Sequence, residues 1–324
     1  MSIAITGGSG FIGTELARDL SGQNRNFRLL DLYPSEEFPD HFEKCDVTYI
    51  ADLEKSLDQA QGIIHLAAEH RDDVFPRQKY YDVNVGGAEN LVKICEQKDI
   101  KTIIFTSTVA VYGLNSGISN ENSETRPFND YGQSKLDAEN VLRQWADKNP
   151  DRTLGIVRLV ATFGPGNRGN IHTLMNQVYK NRFVMVGRGQ NRKSIAYVRN
   201  VSGFLLHLYE NLKPGVSIHN YADKPDLTTE ALVKTIRGAF GKAGTGLHIP
   251  YYAGIAGGLF FDGLAKVTGK TFPISVVRVR KFCADTIVSA EKVKETGFKP
   301  SYNLEDGIRD MIRSDFGNDK DPAQ

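Results

Sequence analysis

The sequence predicts an α/β protein, a doubly wound parallel sheet with a smaller mixed C-terminal lobe. Two observations predict this class. Short apolar runs alternate with helical patterns through the first half of the chain, and a glycine-rich turn follows the first apolar run. Such alternation implies right-handed crossovers, which place the strands side by side in parallel. The runs are almost continuously apolar, as in residues 102–106, because strands of a parallel sheet are buried on both faces.

The predicted elements follow in order along the chain. Strands are expected at residues 3–6, 27–32, 62–67, 100–107 and 154–159, with helices at 11–20, 53–60, 79–98 and 131–149 between them. After about residue 165 the alternation loosens, and further helices are expected at 170–180, 200–211 and 289–296. Asp226 is expected to cap the N-terminus of one more helix, and Gly297 to end the last one.

Charge and composition exclude several classes of function. The chain has 40 Lys and Arg against 39 Asp and Glu, so we expect no nucleic-acid partner, which would require a basic excess. Three widely spaced cysteines favour a reducing compartment and argue against a disulfide framework or a metal site. The N-terminal residues have no basic segment or cleavage site, so we expect no signal peptide. No apolar run reaches the ~18 residues of a membrane-spanning helix. We therefore expect a cytoplasmic protein.

Residues 6–13 (TGGSGFIG) have the pattern of a phosphate-binding turn between a strand and a helix. Gly7 permits the tight turn, Gly10 lets backbone N–H groups approach a pyrophosphate, and Gly13 lets the helix pack close to the sheet. Asp31 ends the second strand, where its carboxylate can bind both ribose hydroxyls and would repel a 2′-phosphate, so NAD is favoured over NADP. The alternative is an ordinary β–α turn with an exposed aspartate. The candidate cofactor residues here are Gly7, Gly10, Phe11, Ile12, Gly13 and Asp31.

Tyr131 and Lys135 are candidate catalytic residues on one face of a predicted helix, because residues four apart point the same way. A free tyrosine, with a pKa of ~10, is a poor base at neutral pH. A nearby ammonium and the positive nicotinamide ring favour the phenolate. Thr108 lies at the carboxyl end of a strand, where doubly wound folds bind ligands, and could share the substrate proton with Tyr131. The pattern Tyr-x-x-x-Lys alone is common on surface helices. Its position after a strand that ends in hydroxyl-bearing residues is what favours a catalytic role.

Taken together, these motifs resemble the extended short-chain dehydrogenase/reductase family, the NAD-dependent epimerases and dehydratases of nucleotide sugars. Residues 46–47, 65–68, 84–87, 164–166 and 297–307 also match, so the similarity runs nearly end to end. The resemblance implies a Rossmann-type NAD-binding domain at 1–165, a substrate lobe at 166–316 whose chain can return to the sheet, and a polar tail at 317–324. It implies a homodimer that pairs the helices near 79–98 and 131–149. It further implies cofactor contacts by Asp46, Val47, Leu66, Ala67, Ala68, Asn84 and Ser107, and catalysis by Thr108, Tyr131 and Lys135.

Departures from the family pattern reduce the range of possible reactions and substrates. Val109 and Ala110 stand where dehydratases have Asp-Glu, so elimination lacks its proton carriers, while epimerase and ketoreductase chemistry remain open. Ala161 and Lys193 stand where UDP-sugar enzymes usually have asparagine and arginine, which disfavours UDP recognition. Longer strings, such as 67–74 and 277–283, resemble 4-epimerases of sugars carried on undecaprenyl diphosphate. That implies conversion of GlcNAc-diphospho-undecaprenol to GalNAc-diphospho-undecaprenol for surface polysaccharides, with candidate substrate residues Glu69, His70, Arg71, Thr108, Arg168, Arg192 and Lys193.

Three other functions stay open at this point. The first two are a soluble UDP-sugar 4-epimerase, acting on UDP-GlcNAc or UDP-glucose, and an NAD(P)-dependent 4-ketoreductase of a nucleotide sugar. The third is a non-catalytic NAD-sensing module, against which the presence of both Tyr131 and Lys135 argues. A lipid-linked substrate predicts peripheral contact with the cytoplasmic face of the inner membrane through residues 250–270, which hold aromatic residues, Lys266 and Lys270. A buried helix of the small lobe is the alternative for this segment.

Overall fold

A computed structural model describes residues 2–71, 74–113, 117–268 and 275–317. Some residues of interest therefore lie outside the described residues. They are residues 72–73, which follow the candidate substrate residues Glu69, His70 and Arg71, together with Lys270 and most of the polar tail. The chain divides into two compact units, and the chain returns to unit 1 twice after first leaving it. Unit 1 comprises Met1–Thr162, Ala196–Ala222 and Val288–Tyr302, and unit 2 comprises Phe163–Ile195, Asp223–Ile287 and Asn303–Gln324.

The described strands and helices have the following bounds. The strands are β1 Ser2–Thr6, β2 Phe27–Asp31, β3 Phe42–Lys44, β4 Ala60–His65, β5 Thr102–Thr108, β6 Thr153–Leu159, β7 Ala161–Phe163, β8 Val184–Val186, β9 Arg192–Tyr197, β10 Gly215–Tyr221, β11 Asp223–Thr228 and β12 Leu247–Ile249. The α-helices are α1 Phe11–Gly22, α2 Ile50–Ser56, α3 Gln78–Tyr81, α4 Gly87–Gln97, α5 Asp130–Asp147, α6 Asn170–Tyr179, α7 Val198–Asn211, α8 Thr229–Ala239, α9 Tyr251–Thr268, α10 Val276–Cys283, α11 Glu291–Glu295 and α12 Leu304–Phe316.

Unit 1 is built on a seven-stranded parallel sheet in the order β10-β6-β5-β4-β1-β2-β3, which confirms the predicted fold class. Alternate residues of each strand point to opposite faces. On β1, Ile3 and Ile5 join a core with α1 and α7, whereas Ala4 joins a second core with α2, α4 and α5. The strand order reverses between β1 and β4, and ligands of such sheets bind at the carboxyl edge beside this reversal.

The predicted helix at 79–98 is interrupted. It consists of α3, a π-helical segment Asp82–Gly86, and α4. Gly87, the first residue of α4, packs closely against Val47, because a Cβ there would lie 2.9 Å from a methyl carbon of Val47. The predicted helix at 53–60 also lies too late in the chain, because α2 ends at Ser56 and Ala60 already begins β4. The first error is an interruption and the second a shifted boundary, and the strands β3 and β10 of the main sheet were not predicted.

Unit 2 pairs β9 with β11 in an antiparallel ladder and β8 with β12 in a parallel one. The prediction that Asp226 caps a helix is wrong. Asp226 lies in β11, where its carboxylate accepts hydrogen bonds from Lys224 and Ser194. Thr228 caps α8 instead, because its hydroxyl accepts a hydrogen bond of 3.0 Å from the N–H of Ala231. Among the residues that the structure describes, no helix combines the length and apolar character needed to span a membrane.

Candidate active site

The glycine turn after β1 leaves no room for side chains at three of its positions, Gly7, Gly8 and Gly13. Gly7 has a φ of +68°, and a Cβ there would lie 2.7 Å from the backbone nitrogen of Ala67. A Cβ on Gly13 would overlap the backbone of Gly8. Gly10 begins α1 and provides no side-chain cap for the first turn of that helix. The N–H groups of the first turn of α1, which begins with Phe11 and Ile12, can therefore bind an anion.

Asp31 is held at the end of β2, beside this turn. Its carboxylate accepts hydrogen bonds from the backbone N–H groups of Ser9 at 3.1 Å and Tyr33 at 3.3 Å. The two bonds fix one acidic group next to a glycine cradle that has no space for side chains. This arrangement fits the pyrophosphate and a ribose of NAD, with Asp31 in position to accept hydrogen bonds from ribose hydroxyls.

Asp46 and Val47, which the family resemblance places beside the adenine of the cofactor, follow β3. Val47 is buried against Gly87, and the side-chain nitrogen of Asn90 donates to the carbonyl of Val47 at 3.2 Å. One oxygen of Asp46 accepts hydrogen bonds from the N–H and hydroxyl groups of Thr48, at 2.9 and 2.7 Å. Thr48 therefore fixes the Asp46 carboxylate within its own loop. Whether these residues contact adenine stays a prediction.

Asn84 joins the segment after β4 to α5. It is 1% exposed, accepts a hydrogen bond of 2.9 Å from the N–H of Glu69, and donates to the Glu69 carbonyl and the Ser134 hydroxyl. The side-chain amide thus satisfies both backbone groups of Glu69 and holds them beside the helix of Tyr131. Leu66, Ala67 and Ala68 precede this clamp and are half-buried.

The Glu69 side chain lies in a cluster of charges. Its carboxylate is bonded to Arg71 at 3.1 Å and to Lys79 at 3.1 Å. Burial alone would raise the pKa of Glu69, but the two cations outweigh it and lower the pKa to about 2. The Tyr80 hydroxyl also donates a hydrogen bond to the backbone carbonyl of Arg71. His70 is exposed. Arg71 therefore lies in an ion cluster of two cations and one carboxylate, which carries one excess positive charge.

The three candidate catalytic residues come from β5 and the start of α5. Asn129 caps α5 by accepting a hydrogen bond of 2.9 Å from Gly132, where a Cβ would lie 3.0 Å from the carbonyl oxygen of Ala110. The first turn of α5, which carries Tyr131, therefore lies against the turn that follows Thr108. Thr108 is 9% exposed, and its hydroxyl accepts a hydrogen bond of 3.2 Å from the N–H of Ala110.

Lys135 is buried over β5. Its Nζ lies 4.0 Å from the ring centroid of Phe105, a cation–π arrangement, and the residue is 2% exposed. Burial lowers the pKa of Lys135 to about 7, although the carboxylate of Glu139 opposes the shift. Burial, aided by the charge of Lys135, also lowers the pKa of His65 to about 3. His65 is therefore neutral and contacts the Thr6 hydroxyl at 2.6 Å through Nδ1.

Sequence reasoning missed a buried network beneath this site. Glu139 is fully buried and accepts hydrogen bonds from Arg158 at 2.9 and 2.7 Å and from the Ser107 hydroxyl at 2.6 Å. Arg158 also donates to the Tyr112 hydroxyl at 2.8 Å, which in turn donates to Asn220 at 2.7 Å. One signal was available, since Glu139 lies four residues after Lys135 on the same helix face. Ser107, an expected cofactor contact, is thus occupied by this network.

The three cations expected to bind the substrate diphosphate belong to unit 2. Arg168 is exposed, contacts His172 and lies 3.7 Å from the carboxylate of Asp315. Arg192 is exposed, whereas the Lys193 ammonium donates to the carbonyl of Ala284 at 2.6 Å. Burial lowers the pKa of Lys193, against the effect of nearby acidic groups. Arg168 and Arg192 are thus the more accessible cations of the three.

Comparisons with known proteins show the family and agree with the fold. Residues 3–222 match the NAD dependent epimerase/dehydratase family. The chain is 42% identical over 316 residues to N-acetyl-alpha-D-glucosaminyl-diphospho-ditrans,octacis-undecaprenol 4-epimerase of Escherichia coli O157:H7, covering 97% of this chain and 95% of the relative. It is 27% identical to UDP-glucose 4-epimerase of Vibrio cholerae, over 97% and 95% of the two chains. The structure of UDP-N-acetylglucosamine 4-epimerase from Bacillus cereus superposes with a TM-score of 0.78 at 19% identity, covering 99% of both chains.

Proposed function

Because the chain belongs to the NAD-dependent epimerase/dehydratase family, we propose that it is a 4-epimerase of a lipid-linked amino sugar. The reaction interconverts GlcNAc-diphospho-undecaprenol and GalNAc-diphospho-undecaprenol through a transient 4-keto sugar. The main support for this substrate is the similarity to an enzyme that is named for this reaction. The two sequences are 42% identical over 97% of this chain. The chain is then an isomerase, and its cofactor is returned unchanged after each turnover.

Tyr131 is the proposed base. Its phenol oxygen takes the proton of the sugar C4 hydroxyl and returns a proton to the same oxygen after the ketone has turned over in the pocket. Bound NAD supplies the acceptor and donor of the C4 hydride. Thr108 shares the hydroxyl proton, and Lys135 favours the phenolate through its positive charge and holds the nicotinamide ribose.

The residues after Thr108 support epimerisation over dehydration. Elimination of water from the 4-keto sugar needs an acid and a base beside it, and the positions that follow are Val109 and Ala110. Neither side chain carries a proton. The 4-keto sugar therefore has no group at these positions to divert it from reduction at the opposite face.

The experiment is incubation with radiolabelled undecaprenyl-diphosphate-GlcNAc and NAD, followed by mild acid hydrolysis and separation of the sugars. We expect labelled GalNAc from the wild-type protein and none from Tyr131→Phe, which should retain NAD binding because the ring is kept. A parallel incubation with UDP-GlcNAc separates the two carriers. Faster epimerisation of UDP-GlcNAc would replace the proposed substrate. Accumulation of a 4-keto sugar with stoichiometric reduction of the added NAD would indicate a ketoreductase running in reverse.

The proposed substrate also implies where in the cell the protein acts. We infer that the protein acts at the cytoplasmic face of the inner membrane, as a peripheral protein, in the synthesis of lipopolysaccharide O-antigen. We also infer a homodimer that pairs the segments 79–98 and 131–149 of two copies. Sedimentation velocity tests this state, and a monomer at micromolar concentration would exclude it.

A further inference from the structure

Helix α9 packs through its smallest residues and exposes its largest. A Cβ on Gly254 would lie 2.5 Å from a methyl carbon of Val186, and one on Gly258 would lie 2.7 Å from the nitrogen of Val276. The glycine side thus lies against β8 and α10. Three large apolar residues of the helix face solvent: Tyr252 is 83% exposed, Leu259 62% and Phe260 67%. An ordinary surface helix of a globular protein has the reverse arrangement.

The exposed residues form one stripe. Leu259 and Phe260 follow Tyr252 by seven and eight residues, which places all three on the same helix face. Asp262 is the one acidic residue of α9, and its carboxylate accepts a hydrogen bond of 3.1 Å from the N–H of Val276. On α10, which packs against α9, Val277 is 60% exposed and Arg280 is also exposed.

Positive charge is concentrated in the same stretch of chain. Residues 250–284 contain five Lys and Arg and one Asp, whereas the remainder of the sequence contains 35 Lys and Arg and 38 Asp and Glu. Apart from this stretch the protein is slightly acidic. Apolar side chains beside cations are the composition of helices that lie at the headgroup boundary of an anionic membrane.

We propose that the exposed stripe of α9, with the exposed Arg280 of α10, docks the protein on the surface of an anionic lipid bilayer. The stripe inserts its aromatic and aliphatic side chains among the headgroups, and Arg280 binds lipid phosphates. A second copy of the chain is a poorer occupant, because two such segments would each bring an excess of positive charge to the contact. The biological meaning of this surface rests on the proposed function, since a lipid-linked sugar is presented at a membrane.

The test is cosedimentation of the full chain with sucrose-loaded vesicles. Vesicles of phosphatidylcholine with 30% phosphatidylglycerol should bind the wild-type protein, and pure phosphatidylcholine vesicles should bind it much less. The variant Leu259→Ser/Phe260→Ser should lose at least about tenfold in partition coefficient, since the two side chains lose their apolar contact. Arg280→Gln should lose about fivefold on the anionic vesicles only. Ile118→Ser is the matched control, because Ile118 is 68% exposed in unit 1.

The remaining outcomes overturn the proposal. Equal binding of wild type and Leu259→Ser/Phe260→Ser would remove the stripe as the docking surface. A shift of that variant to a smaller species in sedimentation velocity, without wild-type vesicle binding, would assign the stripe to a second copy. Failure of the proposed function is separate: turnover is measured with GlcNAc diphosphate on a short water-soluble prenol, which needs no membrane. Turnover of that substrate without vesicle binding would refute the docking surface alone.

Discussion

Replacement of Glu139 by glutamine tests whether the buried network under β5 supports the proposed catalytic helix. Glutamine keeps the shape of the side chain and removes its charge. In the wild-type protein the carboxylate accepts two hydrogen bonds from Arg158, one from Ser107 and a longer one of 3.3 Å from Arg143. Neither Glu139 nor Arg158 is more than 1% exposed. The variant therefore leaves a guanidinium group in the core without its counter-charge.

The expected loss of unfolding free energy is about 3–5 kcal/mol, the usual range when one partner of a buried ion pair is removed. Arg158 cannot reduce this loss by deprotonation, because an arginine in a protein stays charged. The reverse variant, Arg158→Gln, leaves Glu139 with Arg143 as a remaining cationic partner at 3.3 Å, and Glu139 can also take up a proton. Arg158→Gln should thus be less destabilised than Glu139→Gln, and its deficit should shrink as the pH falls.

Urea unfolding followed by circular dichroism measures all three variants: Glu139→Gln, Arg158→Gln and the double variant. The double variant should be more stable than the sum of the single losses implies, by at least about 1 kcal/mol, because no buried charge is left unpaired. It also keeps the test informative if Glu139→Gln does not fold. A loss below about 1 kcal/mol for Glu139→Gln, or simple additivity, would refute the reasoning.

Three further predictions concern the cofactor turn and the ion cluster. Gly7→Ala should weaken NAD binding by about tenfold or more in a fluorescence titration, because a residue with a Cβ is strained by ~1–2 kcal/mol at positive φ. The control is Gly22→Ala, which should bind NAD normally because a Cβ at this position of α1 meets no other atom. Asp31→Ala should raise the affinity for NADP relative to NAD by about tenfold, and an unchanged ratio would remove Asp31 from the ribose site. Glu69→Gln should lower the melting temperature at pH 7. Because the folded pKa of Glu69 lies below its ordinary value of 4.5, this deficit should shrink as the pH falls from 4.5 towards 2.

The glycine turn was predictable because its constraint is local. A positive φ at Gly7 and the absence of space at Gly13 each require glycine, and the requirement is visible in the sequence as a spacing. The paired positions of Tyr131 and Lys135 follow from helix periodicity in the same way. Features that depend only on neighbours within one turn or one helix are therefore recovered from sequence.

The missed features depend on residues that are distant in sequence. Glu139 and Arg158 are 19 residues apart on different elements, and only the packing of α5 against β6 brings them together. The wrong cap has a similar origin. Asp226 and Thr228 are both good capping residues, but Asp226 lies in β11, where the hydroxyl of Ser194, 32 residues earlier in the chain, donates to its carboxylate. Contacts between side chains that are far apart in the sequence determine both the buried ion pair and the helix cap.

The charge of Lys135 links the buried network to the proposed chemistry. With a pKa of about 7, only about half of the Lys135 side chains carry a proton at neutral pH, and Glu139 is the group that opposes a still lower value. His65 adds no positive charge, because its own pKa of about 3 leaves it neutral. Glu139→Gln should lower the pKa of Lys135 further, so its rate relative to wild type should be lower at pH 8 than at pH 6, at saturating NAD. A purely structural role for Glu139 would instead reduce the relative rate by the same factor at both values.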